Sequence, residues 1–276
     1  MSKIVCPVCP NFCKLEEGEI GVCGARKASS GKVECINYGL TTSLALDPIE
    51  KKPLNNFFPN TMILSTGSFG CNLSCPFCQN HSIATSRIDS VDCEYISPEK
   101  LVDYAVSLKS KGNIGIAYTY NEPLVGWEYV LDCAALAHKR GLVNVLVTNG
   151  YINPAPLKQL LPYIDAANID LKSFSQEFYS KLGGSLDTVK NTIASTYSHW
   201  HIEVTTLVIP DENDSLQEMT QLVDWLSALR DDIPLHINRF YPHHKYADRQ
   251  PTPIATLKQL AKLAKAKLKY VYLGNC

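Results

Sequence analysis

From about residue 61 onward, short apolar runs alternate with longer segments in which apolar residues recur at helical spacing. Runs of this length are typical of buried strands, and the longer segments are typical of amphipathic helices. Ser97 and Ser215 stand at the starts of two of these helices as expected N-caps. The predicted strands are Met62–Thr66, Ile114–Tyr120, Val143–Thr148, Ala166–Leu171, His201–Ile209, Leu235–Phe240 and Lys269–Leu273. The predicted helices are Pro98–Lys111, Val125–Arg140, Pro154–Leu161, Ser185–Tyr197, Ser215–Arg230 and Thr252–Ala266.

Repeated alternation of strands and helices predicts an α/β fold with a parallel sheet. A closed eight-fold barrel typically takes about 250 residues, which is more than remain after residue 60. We therefore expect a partial (β/α)6 TIM-like barrel as the core domain over residues 61–276. Residues 1–60 are expected to form a cysteine-rich segment with a β-hairpin. Its strands lie near Lys32–Tyr38 and Thr41–Leu46, and its turn falls at Tyr38–Leu40.

Composition places the chain among ordinary globular proteins, because 45% of its 276 residues are hydrophobic and 19% are charged. A formal net charge of −1 gives no electrostatic reason to expect a nucleic-acid or membrane partner. The chain contains no apolar run long enough for a transmembrane helix, and its start lacks the apolar core of a signal peptide. Eleven cysteines, bunched in motifs, are typical of metal ligands in a reducing cytoplasm. We expect a cytoplasmic protein.

The segment from Gly70 to Asn80 contains Cys71, Cys75 and Cys78 in the spacing C-x3-C-x2-C. Iron–sulfur clusters usually take four cysteines, so three thiolates leave one metal position open for a substrate or cofactor. This predicts a four-iron cluster with one exchangeable iron. The alternatives are three merely buried thiols or a zinc knuckle, for which His81 is the local candidate for a fourth ligand.

The same spacing, with Phe77 just before the last cysteine, resembles the signature of the radical S-adenosylmethionine (SAM) superfamily. The resemblance implies a [4Fe–4S] cluster at Cys71, Cys75 and Cys78, whose open iron binds the amine and carboxylate of SAM. It also implies the chemistry, in which reductive cleavage of SAM yields a 5′-deoxyadenosyl radical that abstracts hydrogen from a substrate.

Polar residues follow the predicted strands at the end where barrel enzymes place their chemistry. Tyr120, Asn121 and Glu122 resemble the superfamily segment that holds the methionine amine of SAM, although Tyr-Asn-Glu replaces Gly-Gly-Glu. The strand that contains Val208 resembles the one whose backbone lies against adenine, although Asp211 replaces the usual glycine.

The next two strand ends carry Thr148 with Asn149, and Asp170 with Lys172. Both segments resemble those of the activating enzymes for glycyl-radical enzymes such as pyruvate formate-lyase, which implies that the four residues lie beside the cofactor. Val147 stands where that family has a cation-binding aspartate. Because strand side chains alternate, Asp170 and Lys172 point to one side and are expected to pair or to bracket the cofactor carboxylate.

The N-terminal segment holds a second thiol set, made of Cys6, Cys9, Cys13 and Cys23. Four thiolates close a coordination shell, so zinc and an auxiliary iron–sulfur cluster both satisfy this set as a second metal site, and the alternative is that the four thiols stay metal-free.

This N-terminal pattern, the run Asp47–Leu54 and the segment Gly70–Asn80 together resemble the radical SAM enzyme of the AmmeMemoRadiSam system. The resemblance covers nearly the full chain and implies a relation to the activating enzymes of pyruvate formate-lyase. It implies SAM, a reductant such as flavodoxin or ferredoxin, and a protein or small-molecule substrate as partners. The competing hypothesis is an iron–sulfur electron-transfer or metal-binding protein without SAM chemistry.

Overall fold

The computed structural model describes residues 3–276, so Met1 and Ser2 of the expected cysteine-rich segment lie outside the described residues. The strands are β1 (Ile4–Val5), β2 (Lys14–Leu15), β3 (Arg26–Ser29), β4 (Lys32–Cys35), β5 (Leu40–Thr41), β6 (Ser43–Pro48), β7 (Met62–Gly67), β8 (Glu94–Tyr95), β9 (Asn113–Tyr118), β10 (Val143–Thr148), β11 (Ala166–Asp170), β12 (His201–Val208), β13 (Leu235–Arg239) and β14 (Val271–Gly274). The helices are α1 (His81–Ala84), α2 (Pro98–Ser107), α3 (Trp127–Lys139), α4 (Pro154–Leu160), α5 (Gln176–Lys181), α6 (Leu186–Thr196), α7 (Leu216–Leu229) and α8 (Ile254–Ala264).

The main sheet has eight strands in the order β14-β13-β12-β11-β10-β9-β7-β6. Each pair from β7 to β14 is parallel, and β6 is antiparallel to β7 at one edge. The parallel strands agree with the predicted ones to within two residues at each end. The α/β fold with a parallel sheet is therefore confirmed.

The N-terminal hairpin is present but is formed by other residues than predicted. Strand β3 pairs with β4 around a turn at Ser30 and Gly31. The expected turn at Tyr38–Leu40 is wrong, because β5 pairs with β8 and β6 joins the main sheet beside β7. Strand partners far along the chain override the local turn pattern here. A domain boundary after residue 60 stays a prediction, and β6 pairs across it.

Helices α2 to α8 cover the sheet because each carries an apolar stripe toward it. Leu101, Val130, Val189, Val223 and Leu260 of five of these helices are buried in one core with the strands. Each such side chain contributes about 1.5–3 kcal/mol by leaving water. The predicted caps are confirmed, since the hydroxyls of Ser97 and Ser215 accept from backbone amides at the starts of α2 and α7.

A loop closes the amino-terminal end of the barrel. The backbone amides of Asn55 and Asn56 donate to the Glu203 carboxylate at 3.0 and 2.7 Å, and His236 Nε2 lies 2.6 Å from the same group. Glu203 and His236 are both buried. This end is opposite to the strand ends that carry the predicted site.

Within residues 3–276, none of the helices has the length and apolar character needed to cross a bilayer.

Candidate active site

A cavity of about 250 Å³ opens at the carboxyl ends of the parallel strands. Strands β7, β9, β10 and β11 end there, so their predicted polar residues meet at one face, as in barrel enzymes. The predicted residues that line it are Cys71, Cys75, Cys78, Tyr120, Asn121, Glu122, Thr148, Asn149, Asp170 and Lys172.

Residues 70–78, which we name the cysteine loop, follow β7. The three thiols of Cys71, Cys75 and Cys78 open into the cavity. Backbone hydrogen bonds fix the loop: Ser74 N–H donates to the Leu182 carbonyl at 2.9 Å, and Cys71 N–H donates to the Cys23 carbonyl at 3.1 Å. The thiols are therefore held in place by the barrel on one side and the N-terminal segment on the other.

Burial raises the pKa of the thiols in the cysteine loop. The pKa of Cys75 reaches about 12, although the nearby Lys172 ammonium lowers it. Burial likewise raises the pKa of Cys71, and the charge of Glu122 adds to this effect. Without a metal these groups are thiols, so metal binding at this set releases protons.

The surroundings fit a cluster with an open position better than a zinc knuckle. The ring of His81 stacks on His244 with centroids 4.4 Å apart, and its Nδ1 lies 3.2 Å from the Cys78 carbonyl oxygen, so it does not complete a tetrahedral set. On the opposite wall, the hydroxyl of Thr205 is buried without a hydrogen-bond partner among residues 3–276. An unpaired hydroxyl in a cavity wall suits a polar bound ligand.

Glu122 lines the cavity and is 3% exposed. Its carboxylate accepts from the Thr148 hydroxyl at 2.7 Å and from the backbone amides of Asn149 at 2.8 Å and Leu124 at 2.9 Å. Burial raises its pKa to about 7, although these donors lower it. Glu122 thus joins the ends of β9 and β10. It lines the cavity with a carboxyl group whose pKa lies near neutral pH.

Asp170 and Lys172 form the expected ion pair, with Lys172 Nζ 2.6 Å from Asp170 Oδ2. Burial lowers the pKa of Lys172, but the charges of Asp170 and Cys75 outweigh burial and raise it. Lys172 therefore stays protonated and places a positive charge beside Cys75.

Tyr120 adopts a left-handed backbone conformation, with φ of 73°. A bulky residue pays for this conformation in strain of about 1–3 kcal/mol. Its hydroxyl donates to Asp47 at 2.8 Å, and the buried Lys52 ammonium donates to the same carboxylate at 2.8 Å. The side-chain amide of the next residue, Asn121, donates to the carbonyls of Phe69 and Gly70, where the cysteine loop begins, each at 3.1 Å. The ion pair between Asp47 on β6 and Lys52, which follows β6, thus anchors the loop that carries Glu122.

The structure does not bring two groups of predicted residues to the cavity. Val208 is fully buried in the core, and its carbonyl accepts from the Thr252 hydroxyl. The four N-terminal cysteines lie behind the cysteine loop instead. Conversely, sequence reasoning did not select several lining residues on or beside the strands, although the alternation of strand side chains points to those within a strand. These residues are Thr119, Thr205, Leu207, Asn238 and Asn275.

Residues 66–226 match the sequence profile of the Radical SAM superfamily. The chain is 39% identical to the uncharacterized protein MJ0808 of Methanocaldococcus jannaschii over 279 positions, which cover 99% of this chain and 82% of that protein.

Solved structures show the same fold at low identity. SuiB of Streptococcus suis bound to SAM is similar over 75% of this chain and 48% of SuiB, at a TM-score of 0.55 and 14% identity, so the chain spans about half the length of SuiB. SuiB bound to its precursor peptide SuiA gives a TM-score of 0.56 at 14% identity, over 75% of this chain and 47% of SuiB. QueE from Escherichia coli is similar over 86% of this chain and 94% of QueE, at a TM-score of 0.54 and 12% identity.

Proposed function

We propose a reaction for this chain. The chain belongs to the radical SAM superfamily, so it is an enzyme that uses a [4Fe–4S] cluster and SAM. The proposal is that Cys71, Cys75 and Cys78 hold the cluster, and that the radical formed from SAM abstracts hydrogen from a substrate at the mouth of the cavity. A cluster held by these thiolates would supply the electron for the cleavage of SAM into methionine and a 5′-deoxyadenosyl radical. The single observation that carries this proposal is that three thiols and the polar strand ends share one cavity.

The cavity walls suggest how the residues share the binding of SAM. Glu122 accepts the ammonium of the methionine moiety on its free carboxylate lone pairs, and Lys172 attracts its carboxylate. Thr148 and Asn149 keep Glu122 in position through the hydrogen bonds described above. The backbone of β12 near Val208 would lie against the adenine.

Tyr120 and Asn121 have an indirect role in this proposal. Asn121 ties the cysteine loop to the end of β9, and Tyr120 ties the same segment to Asp47. Both residues position Glu122 relative to the thiols. Asp170 fixes the ammonium of Lys172 by their ion pair.

The substrate side is formed by amide side chains. Asn238 and Asn275 line the cavity from the last two strands. Amide groups pair with the N–H and C=O groups of a peptide backbone, so we propose a glycine backbone or another peptide group as the substrate class, as in an activating enzyme for a glycyl-radical protein. SuiB, which binds a precursor peptide, provides a precedent for peptide substrates on this fold. A low-potential carrier such as flavodoxin or ferredoxin supplies the electron.

The N-terminal cysteine pattern, the run Asp47–Leu54 and the segment Gly70–Asn80 resemble the radical SAM enzyme of the AmmeMemoRadiSam system. We propose that the chain belongs to the AmmeMemoRadiSam branch and that a protein of the same system is its partner. Cys6, Cys9, Cys13 and Cys23 are proposed as ligands of a second metal site.

The decisive experiment is anaerobic reconstitution with iron and sulfide, followed by reduction with dithionite and addition of SAM. We expect 5′-deoxyadenosine and methionine in equal amounts. The variant Cys75→Ala removes one cluster ligand, and we expect it to lose the cluster absorbance and to form at least 100-fold less 5′-deoxyadenosine, corresponding to about 3 kcal/mol or more of the activation barrier.

Cys93→Ser is the matched control, because Cys93 is a half-buried loop cysteine that does not line the cavity. It should retain full iron content and full turnover. A reduced, cluster-loaded wild-type protein that forms no 5′-deoxyadenosine contradicts the proposed function and favours an electron-transfer protein. Turnover that survives in Cys75→Ala contradicts the ligand assignment.

A further inference from the structure

Asn149 lies between the two parts of the candidate site. Its backbone N–H donates to Glu122, and its side-chain Nδ2 lies 3.6 Å from Cys71 Sγ, which is within hydrogen-bond distance for a sulfur acceptor. Asn149 is buried, with 6% of its surface exposed. An asparagine in this place acts on the thiol as a donor only if its NH2 group, rather than its oxygen, faces the sulfur. The orientation of the amide therefore decides what Asn149 does to Cys71.

The backbone of Tyr151 fixes the orientation of two amide groups. Tyr151 N–H donates to Asn149 Oδ1 at 2.8 Å, so the Nδ2 group of Asn149 points the other way, toward Cys71. The Tyr151 carbonyl accepts from Asn72 Nδ2 at 2.6 Å, so Asn72 Oδ1 faces Asn149 and accepts from its Nδ2 at 2.9 Å. A backbone N–H only donates and a carbonyl only accepts, so neither amide can be turned over without losing a bond.

The two hydrogens of the Asn149 amide have two acceptors. One hydrogen goes to Asn72 Oδ1, and the other is left for Cys71 Sγ. Leu73 N–H donates to the same sulfur at 3.5 Å, so Cys71 accepts from the backbone of its own loop and from a side chain that follows β10. Hydrogen bonds to the sulfurs are among the factors that set the reduction potential of an iron–sulfur cluster.

The turn that carries Asn149 and Tyr151 is held by the barrel. Gly150 between them has a φ of +67°, and a Cβ there would lie 3.0 Å from Ile169 Cγ2, so both the conformation and the packing favour glycine. The Gly150 carbonyl accepts from the Thr192 hydroxyl on α6 at 2.7 Å. The backbone groups that orient the two amides therefore have a fixed position relative to the sheet.

Asn72 is the member of this network that belongs to the cysteine loop. It follows Cys71 directly and is 3% exposed. Its backbone carbonyl accepts from Asn11 Nδ2 at 3.2 Å, on the side of the N-terminal segment. Because its side chain is buried, loss of its amide would leave Asn149 Nδ2 and the Tyr151 carbonyl each without a partner, which is costly. Asn72 thus ties the orientation of Asn149 to the position of Cys71.

We infer that Asn72 is a positioning residue that fixes the amide of Asn149, and that the hydrogen bond from Asn149 to the Cys71 sulfur raises the reduction potential of the centre at the cysteine loop. The inference rests on the proposed function, which assigns a cluster to these thiols. The reduced form of such a cluster carries one more negative charge than the oxidised form, so a donor at a ligand sulfur stabilises the reduced form more. Asn149 stays neutral and transfers no proton.

The first test uses the crystal structure of the metal-free protein. Asn72→Leu keeps the size of the side chain but removes its amide, and we expect the Asn149 amide to rotate away from Cys71 Sγ. Asn72→Ser is the second variant, because its hydroxyl is one atom too short to reach Asn149. An Asn149 amide that keeps its place in either variant overturns the positioning role.

The second test is the midpoint potential of the reconstituted protein without SAM, measured by electron paramagnetic resonance on the signal that Cys75→Ala abolishes. Asn149→Ala keeps the backbone N–H for Glu122 but removes the donor to sulfur. We expect the equilibrium constant for one-electron reduction to fall about fivefold, which lowers the midpoint potential by about 40 mV. Asn72→Leu should lower the same constant about threefold. An unchanged potential in Asn149→Ala overturns the inference.

A double-mutant cycle separates positioning from a general loosening of the loop. Because Asn72 acts through Asn149, Asn72→Leu should have no further effect on the potential in the Asn149→Ala background. Two effects that add in the double variant contradict this route.

Asn11→Ala is the matched control. It removes the bonds to the Asn72 carbonyl and from the Tyr151 hydroxyl, but it leaves the amides of Asn72 and Asn149 paired with each other. We expect a lower stability in urea without a change in potential. A potential that falls as far in Asn11→Ala as in Asn149→Ala shows a general disturbance and overturns the inference.

The inference and the proposed function fail in different ways. A cluster-loaded protein that shows these shifts in potential but forms no 5′-deoxyadenosine contradicts the proposed function and supports the role of Asn72. Normal 5′-deoxyadenosine formation with unchanged potentials in the variants contradicts only the inference.

Discussion

Glu122 combines burial with a carboxyl group whose pKa lies near neutral pH. Its pKa of about 7 means that half of the molecules carry a neutral carboxyl at that pH. If Glu122 accepts the ammonium of SAM, binding requires the ionised form. The affinity for SAM should then depend on pH around pH 7, where most other carboxylates are already fully charged.

We predict that the dissociation constant of SAM rises about eightfold to tenfold between pH 7.5 and pH 6, because protonation of a group with a pKa near 7 removes the acceptor. Equilibrium dialysis with the reconstituted protein measures this. Glu122→Gln should bind SAM weakly and without this pH dependence. An affinity for wild type that stays constant between pH 7.5 and pH 6 contradicts the assignment.

At this scale, the sequence identifies the residues but not their partners. Glu122 is recognisable because a carboxylate stands next to a proline at a strand end. Its bonds to Thr148 and Asn149 depend on the register between β9 and β10, which no local pattern encodes. Val208 illustrates the limit, since its strand was predicted but the cavity does not reach its side chain.

Among the elements, strand β6 contributes more to the site than its position at the sheet edge suggests. It pairs with β7 along its whole length and carries Asp47 to the hydroxyl of Tyr120. Burial raises the pKa of Asp47, but Lys52 and Tyr120 outweigh burial and lower it well below its usual range. The strand thus connects the N-terminal part of the chain to the loop that bears Glu122.

We predict that Tyr120→Phe lowers the free energy of unfolding of the metal-free protein by about 1–2 kcal/mol, because it removes a hydrogen bond to a largely buried carboxylate. The affinity for SAM should fall several-fold, since the Asn121–Glu122 segment loses its anchor. Urea denaturation and dialysis measure the two effects.

Tyr104→Phe is the control, because Tyr104 lies on α2 and is 47% exposed. Its effect on stability should stay within about 0.5 kcal/mol. Equal losses in the two variants would show that the Asp47 contact does not matter.

The elements of the barrel were predictable and the N-terminal pairing was not. Apolar strands such as Val143–Thr148 can be recognised from their composition, and serine caps mark the starts of α2 and α7. Strand β5 has only two residues, which is too short for a recognisable alternation of apolar and polar positions. Its partner β8 lies some fifty residues further on along the chain. Glycine at position 39 suggested a hairpin turn that the distant pairing overrides.

At the scale of the whole molecule, the closed end of the barrel depends on one carboxylate. Glu203 accepts from two backbone amides of the loop that closes this end and contacts both His201 and His236. Burial raises its pKa, but these hydrogen bonds outweigh burial and lower it to about 2. A carboxylate with a depressed pKa stabilises the folded state only while it is ionised.

We predict that the wild type loses about 3 kcal/mol of stability from this group as the pH falls from about 5 toward 2. The contribution is complete above the unfolded-state pKa and disappears as the pH passes through the folded-state value. Glu203→Gln should be less stable at pH 7 and should lose less stability on acidification. Denaturant unfolding of the metal-free protein at several pH values measures this, and parallel profiles for the two proteins would contradict it.

The order of strands in the main sheet has a consequence for biosynthesis. From β6 to β14, each strand of this sheet lies beside the one that precedes it along the chain. A growing chain can therefore extend the sheet at one edge as each strand leaves the ribosome, without opening pairs already made. The N-terminal thiols and the cysteine loop emerge first, so both thiol sets are synthesised before Asn238 and Asn275, which complete the wall of the cavity.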